Sequence, residues 1–172
     1  MMKPEFYTFE DDGVIPNSPL PVVIYRQVIP LDEKDFASFL ETTFQKNGWT
    51  NNWRDIVLPY DHFHSNTHEV LGVSRGTVSL QVGGAAGKTV ALTAGDVAVM
   101  PAGVGHRDIS HHTHYEIVGG YPNGRQWDMM TGTQDERPIA QKNIASLPTP
   151  QTDPIFGTNG PLIKAWNHNN QD

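Results

Sequence analysis

His62-Phe63-His64-Ser65-Asn66-Thr67-His68-Glu69, closed by Gly76, and Gly95-Asp96-Val97-Ala98-Val99-Met100-Pro101-Ala102-Gly103-Val104-Gly105-His106 are the stretches whose reading decides the fold of this chain. As spacings they are H-x-H-x4-E-x6-G and, after an interval of 18 residues, G-x5-P-x-G-x2-H. Side chains two apart on an extended chain share a face, so His62 and His64 point the same way. The same parity sets Leu71 and Val73 beside Glu69, which becomes the last polar residue of an apolar row. Asp96 to Met100 reads as a strand, Pro101-Ala102-Gly103 as a tight turn and His106 as the start of the returning strand, bringing that histidine back beside the first stretch. Imidazole nitrogen and carboxylate oxygen together suit a borderline or hard divalent ion such as Fe, Mn, Ni, Co or Zn. A lone H-x-H more often hydrogen-bonds or faces solvent than binds metal. The joint pattern of His, Glu, Gly and Pro at set spacings is far more specific.

Here the chain resembles the cupin superfamily, small antiparallel β-barrels whose metal sits inside, held by the H-x-H pair, the Glu and the His of the second motif. Carried over residue by residue, the resemblance implies His62, His64, Glu69 and His106 as ligands. Two positions depart from the usual pattern: Ile56 stands where the first motif opens with Gly, and Ser110 where the second ends with Asn. Neither position supplies a ligand. Trp49-x3-Trp53, HSNTHEVLGV and GDVAVMPAGVGH are also similar to an uncharacterised bacterial branch of single-barrel cupins, the YjlB-like proteins. The fold implied is an all-β cupin barrel, a double-stranded β-helix or jelly roll of the RmlC-like kind.

The length of 172 residues suits one domain, read as 1–172, with the barrel core at about 55–121, an N-terminal arm and helix over 1–54 and a C-terminal arm over 122–172. A hydrophobic fraction of 37% and mean hydropathy of −0.45 fit a soluble globular chain. No apolar run approaches a membrane span, and Met1-Met2-Lys3-Pro4-Glu5 carries no signal-like segment, so a cytoplasmic location is expected. A formal charge of −7 without basic clusters speaks against nucleic acid as a partner. With no cysteine, disulfides and thiolate ligands are excluded.

Phe6 to Phe9 and Val22 to Tyr25 read as strands, with the proline-rich Ile15 to Pro21 kept out of any central ladder position. Such N-terminal strands pack on a second subunit in many cupins, so the resemblance implies a homodimer. Asp32 to Asn47 reads as the one strong helix, capped by Asp32 and ended by Gly48, with Phe36, Phe39, Leu40 and Phe44 as a stripe covering the barrel. Trp49, Trp53 and Tyr60 can line the pocket mouth or serve packing, and packing is the commoner use of large aromatics. Thr77 to Val82 and Thr89 to Leu92 form a hairpin through Gly83, Gly84 and Gly87. His112 and His114 are a second H-x-H, read as a solvated turn because no carboxylate sits nearby at ligand spacing. His68 falls on the opposite face from Glu69 and is excluded as a ligand. Beyond Tyr121 the recurrent Pro and Gly leave no helix or strand pattern of length, only an arm anchored by Ile155, Phe156, Leu162, Ile163 and Trp166 and a polar tail from His168 to Asp172, expected to be disordered.

Four ligands on an octahedral ion leave two adjacent positions for water, dioxygen or a bidentate substrate. The expected function is therefore a metal-dependent enzyme of oxygenase or isomerase type, acting on a small oxygenated molecule through one divalent ion, Fe, Mn, Ni or Zn. The alternative is a non-catalytic protein holding a sugar or organic acid in the same pocket. Asp108 and Ser110 share the parity of His106, so Asp108 is the candidate general base, with an exposed strand charge as the equal alternative. Asp96 reads as a turn residue.

Overall fold

The computed structural model describes residues 3–168. Eight strands and three helices are present among them: β1 (Glu5–Phe9), β2 (Ser18–Tyr25), α1 (Phe36–Lys46), β3 (Trp49–Asp55), β4 (Glu69–Val82), β5 (Lys88–Thr93), β6 (Val97–Met100), β7 (His106–Asp108), β8 (Tyr115–Pro122), α2 (Arg137–Ser146) and α3 (Pro161–His168). All strand pairings between these elements are antiparallel. The fold is an all-β cupin barrel with added helices.

The long strand β4 is the spine. Its first half, Glu69 to Val73, lies between β6 and β8. Its second half, Thr77 to Val82, lies between β5 and β7. The change of neighbours follows an irregularity between Val73 and Arg75, and Gly76 sits at φ +74, where an added Cβ would stand 2.2 Å from the His114 carbonyl oxygen. Only glycine fits that crossing.

Two cores account for the two kinds of apolar pattern. Inside the barrel pack Val22, Ile24, Leu71, Val73, Ala98, Met100 and Ile117. Their alternate neighbours Val23, Tyr25, Val70, Val97, Val99 and Val118 pack outside, under Leu40 and Phe44 of α1 and Leu162 and Trp166 of α3. A sheet covered on both faces needs apolar residues at every position, which is why Val22 to Tyr25 and Val97 to Met100 are unbroken apolar runs. By contrast β5 faces solvent on one side, and Lys88 to Thr93 alternates.

Three expectations are revised. The helix α1 starts at Phe36, capped by the Asp35 carboxylate on the Ser38 amide rather than by Asp32. Glu33 accepts from the amides of Lys34 and Asp35, which holds those residues in a local turn and delays the helix. β2 starts earlier than read, at Ser18; β6 joins only from Val23 onward, so its prolines stay outside the three-strand region. The C-terminal arm is partly helical. Pro138 lies at the first turn of α2 and Pro161 opens α3, where a missing amide costs nothing, so prolines that read as breakers begin helices. Of the expected polar tail, His168 closes α3 and residues 169–172 lie outside the described residues, as do Met1 and Met2.

Candidate metal centre

Glu69 opens β4 on its inner face, opposite Met100 of β6. His106 opens β7 after the turn at Pro101 to Gly103, and its backbone pairs with that of His62 in both directions. This bridge sets the two imidazoles side by side with ring centres 4.3 Å apart. The chain then carries His64 in toward Glu69. The Nε2 atoms of His64 and His106 each lie 3.3 Å from Glu69 Oε2. All three side chains are buried.

The hydrogen bonds behind these groups decide their protonation. His64 Nδ1 bonds the Asp128 carbonyl, His106 Nδ1 the Val104 carbonyl and His62 Nδ1 the Tyr60 carbonyl. A carbonyl only accepts, so each Nδ1 carries the proton and each neutral ring turns an Nε2 lone pair the other way. Glu69 Oε1 accepts from the Tyr121 hydroxyl at 3.0 Å, and that hydroxyl accepts from Trp53 Nε1 at 2.9 Å. Glu69 Oε2 is buried without a hydrogen-bond donor. Two lone pairs and a carboxylate oxygen thus converge, and the arrangement is relieved either by a proton on an imidazole or by a cation. Burial favours the neutral carboxyl of Glu69, but the neighbouring His64 and His106 overcome it and hold the group below the usual carboxylate range. Burial likewise opposes a proton on His64, yet the Glu69 charge raises its pKa. Two imidazole nitrogens and a carboxylate oxygen within 4.8 Å of one another form a group able to hold a metal ion, and among the described residues no other such cluster occurs.

The fourth expected ligand, His62, stands beside this trio rather than in it. Burial and the neighbouring His106 lower its pKa to about 4, so it is neutral at ordinary pH. It lines the same cavity, a space of about 350 Å³ bounded also by Trp53, Val57, Leu71, Tyr121, Trp127 and Met129. Asp108 does not line this cavity. Its carboxylate accepts from the Ser110 amide and the Tyr115 hydroxyl, both at 2.7 Å, and so braces the strand behind the wall. His68 faces away from Glu69, accepting from the Ala102 amide and packing on Trp166. His112 and His114 are exposed and stacked on each other. The three aromatics before the first motif divide: Trp49 is core, Trp53 lines the cavity and Tyr60 is half exposed beside His62. Asp96 does more than turn the chain, because its buried carboxylate accepts from Arg26, Gln27 and Thr93.

Sequence reading missed Tyr121, Trp127 and Asp128. Tyr121 follows the parity of Ile117 and Gly119 on β8, and that alternation is the signal that finds it. Trp127 and Asp128 lie in the arm, where no local period operates. Asp128 accepts from the amide and hydroxyl of Ser65, and Phe63 pairs its backbone with Met130, so Gln126 to Met130 is stapled across the first motif.

No protein-family model matches the sequence. The uncharacterised protein YjlB of Bacillus subtilis (strain 168) is 42% identical over 161 residues, 93% of this chain and 94% of the relative. The chain belongs to the YjlB family of cupins. Solved structures similar to this YjlB-family chain include a DUF861 family protein of Thermotoga maritima, 20% identical over 58% of this chain and 96% of that one, with a TM-score of 0.35. Another is the acireductone dioxygenase of Bacillus anthracis with a cadmium ion in its active centre, 14% identical over 74% of this chain and 82% of that one, with a TM-score of 0.40. An oxalate decarboxylase variant from Bacillus subtilis is 19% identical over 68% of this chain and 29% of that one, with a TM-score of 0.39.

Proposed function

We propose that this YjlB-family cupin is a metal-dependent enzyme of oxygenase or isomerase type acting on a small oxygenated molecule. His64, Glu69 and His106 hold one divalent ion, Fe, Mn, Ni or Zn, and His62 completes the set from its place against His106. The observation that carries this reading is the buried Glu69 Oε2, faced at 3.3 Å by two imidazole nitrogens and by no hydrogen-bond donor. Such an ion, when bound, supplies Lewis acidity toward substrate oxygens or, if iron, redox chemistry with dioxygen. The rest belongs to the chain. Tyr121 fixes the orientation of Glu69, the Asp128 carbonyl fixes that of His64, and Trp53, Val57 and Leu71 give the ion an apolar wall.

One observation favours a non-catalytic binding protein instead: among the described residues, Glu69, the histidines and Tyr121 apart, Asp55 is the only acidic or basic side chain on the cavity wall, and it sits at the exposed rim. On this reading the ion anchors a small ligand without turnover. Either way the partner is a small molecule rather than nucleic acid or a membrane. No helix among the described residues is long and apolar enough to cross a membrane. The implied homodimer is checked by light scattering.

The experiment is the metal content of protein purified without affinity tag or chelator, beside the His62→Ala, His106→Ala double variant. About one ion per chain is expected in the parent, and a loss of it in the variant. Parent protein that carries no metal and takes none up from added Fe, Mn, Ni or Zn sinks the proposal.

A further inference from the structure

Above the metal-ligand trio the cavity has a wall whose polar groups are already engaged. Asn52 Nδ2 donates to the carbonyls of Trp49 and Gly119, and its Oδ1 accepts from Gln45. Trp53 Nε1 donates to Tyr121, and Tyr121 donates to Glu69. Only Asn51 and Asp55, whose Oδ1 accepts from the Ile56 amide, remain among the described residues as polar side chains toward the cavity, and both are exposed at its rim. Among the described residues neither lysine nor arginine lines it. What a ligand meets inside is Trp53, Ile56, Val57 and Leu58, with the partly exposed Trp127 and Met129 at the mouth.

Resting on the metal reading above, we infer that the substrate is a molecule with two adjacent oxygen atoms at one end and an apolar, ring-sized body at the other. The oxygen end meets the ion, the only positive charge the site offers. A phosphate or second carboxylate finds no cation on the wall, and sugar hydroxyls find no free side-chain partner short of the exposed rim, so burying either would strand polar groups. The aromatic surfaces are held in advance. An added Cβ at Gly119 would stand 2.0 Å from the Trp53 ring, so the bare backbone there lets that ring lie against β8. Trp127 comes from the stapled segment and lies 5.4 Å from the His64 ring, which makes it the roof over the metal end. Trp127 and Met129 are the specificity-determining residues contributed by the C-terminal arm.

The test uses cobalt-loaded protein and two bidentate oxygen chelators, benzohydroxamate and acetohydroxamate, followed by quenching of tryptophan fluorescence, with cobalt content measured in every sample. Benzohydroxamate is expected to bind about tenfold more tightly or better, because it adds a ring of buried apolar surface. Trp127→Ala should narrow that preference. Cobalt uptake with equal affinities, tighter binding of acetohydroxamate, or an unchanged preference in Trp127→Ala overturns the inference and leaves the metal reading standing. Absence of uptake of cobalt and of Fe, Mn, Ni and Zn alike overturns the metal reading and this inference with it.

Discussion

At Glu69 the two carboxylate oxygens have different fates. Oε1 accepts from Tyr121, while Oε2 meets only imidazole nitrogens. Removing the Tyr121 hydroxyl frees Glu69 to rotate and leaves Trp53 Nε1 without its acceptor. Tyr121→Phe should therefore weaken metal binding by roughly tenfold to a hundredfold, read by competition against a chelator, while costing about 1–2 kcal/mol in urea unfolding. His68 works on the other side of the same strand. Burial lowers its pKa to about 4 from 6.5, so the unfolded chain takes up this proton first. The contribution of neutral His68 is complete above about pH 6.5 and is lost as pH falls toward 4. In metal-free protein it amounts to about 2 kcal/mol between pH 7 and pH 5, and His68→Gln should remove that part of the slope of unfolding free energy against pH.

Among the elements, β4 and the arm segment Gln126 to Met130 divide the work of building the site. The strand places Glu69 by alternation alone. The segment places a carbonyl on His64 and two apolar side chains over the cavity, and it is held by the Asp128 carboxylate on Ser65 and by the Phe63–Met130 bridge. Asp128→Ala removes the first of these holds. It is expected to raise the metal dissociation rate by about tenfold and to expose the segment to limited proteolysis, with far-ultraviolet circular dichroism unchanged. A dissociation rate equal to that of the parent would show that the bridge and the Asn66 side chain, which bonds the Gln126 carbonyl and the residue 128 amide, suffice. The helix α1 gives the complementary case, in which an element was read correctly but its start was not. Phenylalanine spacing reports the buried face, whereas the cap depends on which of Asp32 and Asp35 the preceding turn leaves free.

Over the whole molecule, the C-terminal arm is tied to the barrel at Asp153. This fully buried carboxylate accepts from the Tyr25 hydroxyl and from the amides of Ile155, Phe156 and Leu162. Asp153→Ala takes the acceptor from the Tyr25 hydroxyl and the Ile155 and Phe156 amides, leaving the Leu162 amide only the Tyr25 oxygen, and should cost about 3 kcal/mol or more in urea unfolding, while the folded fraction keeps the metal stoichiometry of the parent. Such an outcome would separate the hold on the arm from the metal centre.

What the sequence by itself determined is what repeats along a strand or closes within a turn. The inner row from Glu69 to Val73, the hairpin at Gly83 to Gly87, the return of His106 after Pro101 to Gly103 and the exclusion of His68 all follow from alternation and turn chemistry, which act over a few residues. Only the tertiary structure decided the rest: that His62 stands against His106 instead of beside Glu69 Oε2, that Asp108 braces Tyr115 behind the wall, and that the arm helices and Trp127 cover the barrel. Those outcomes depend on partners far along the chain, Asp128 at 64 residues from His64 and Tyr121 at 52 from Glu69. No local period carries that information, because a hydrogen bond across the barrel is chosen by packing and not by spacing.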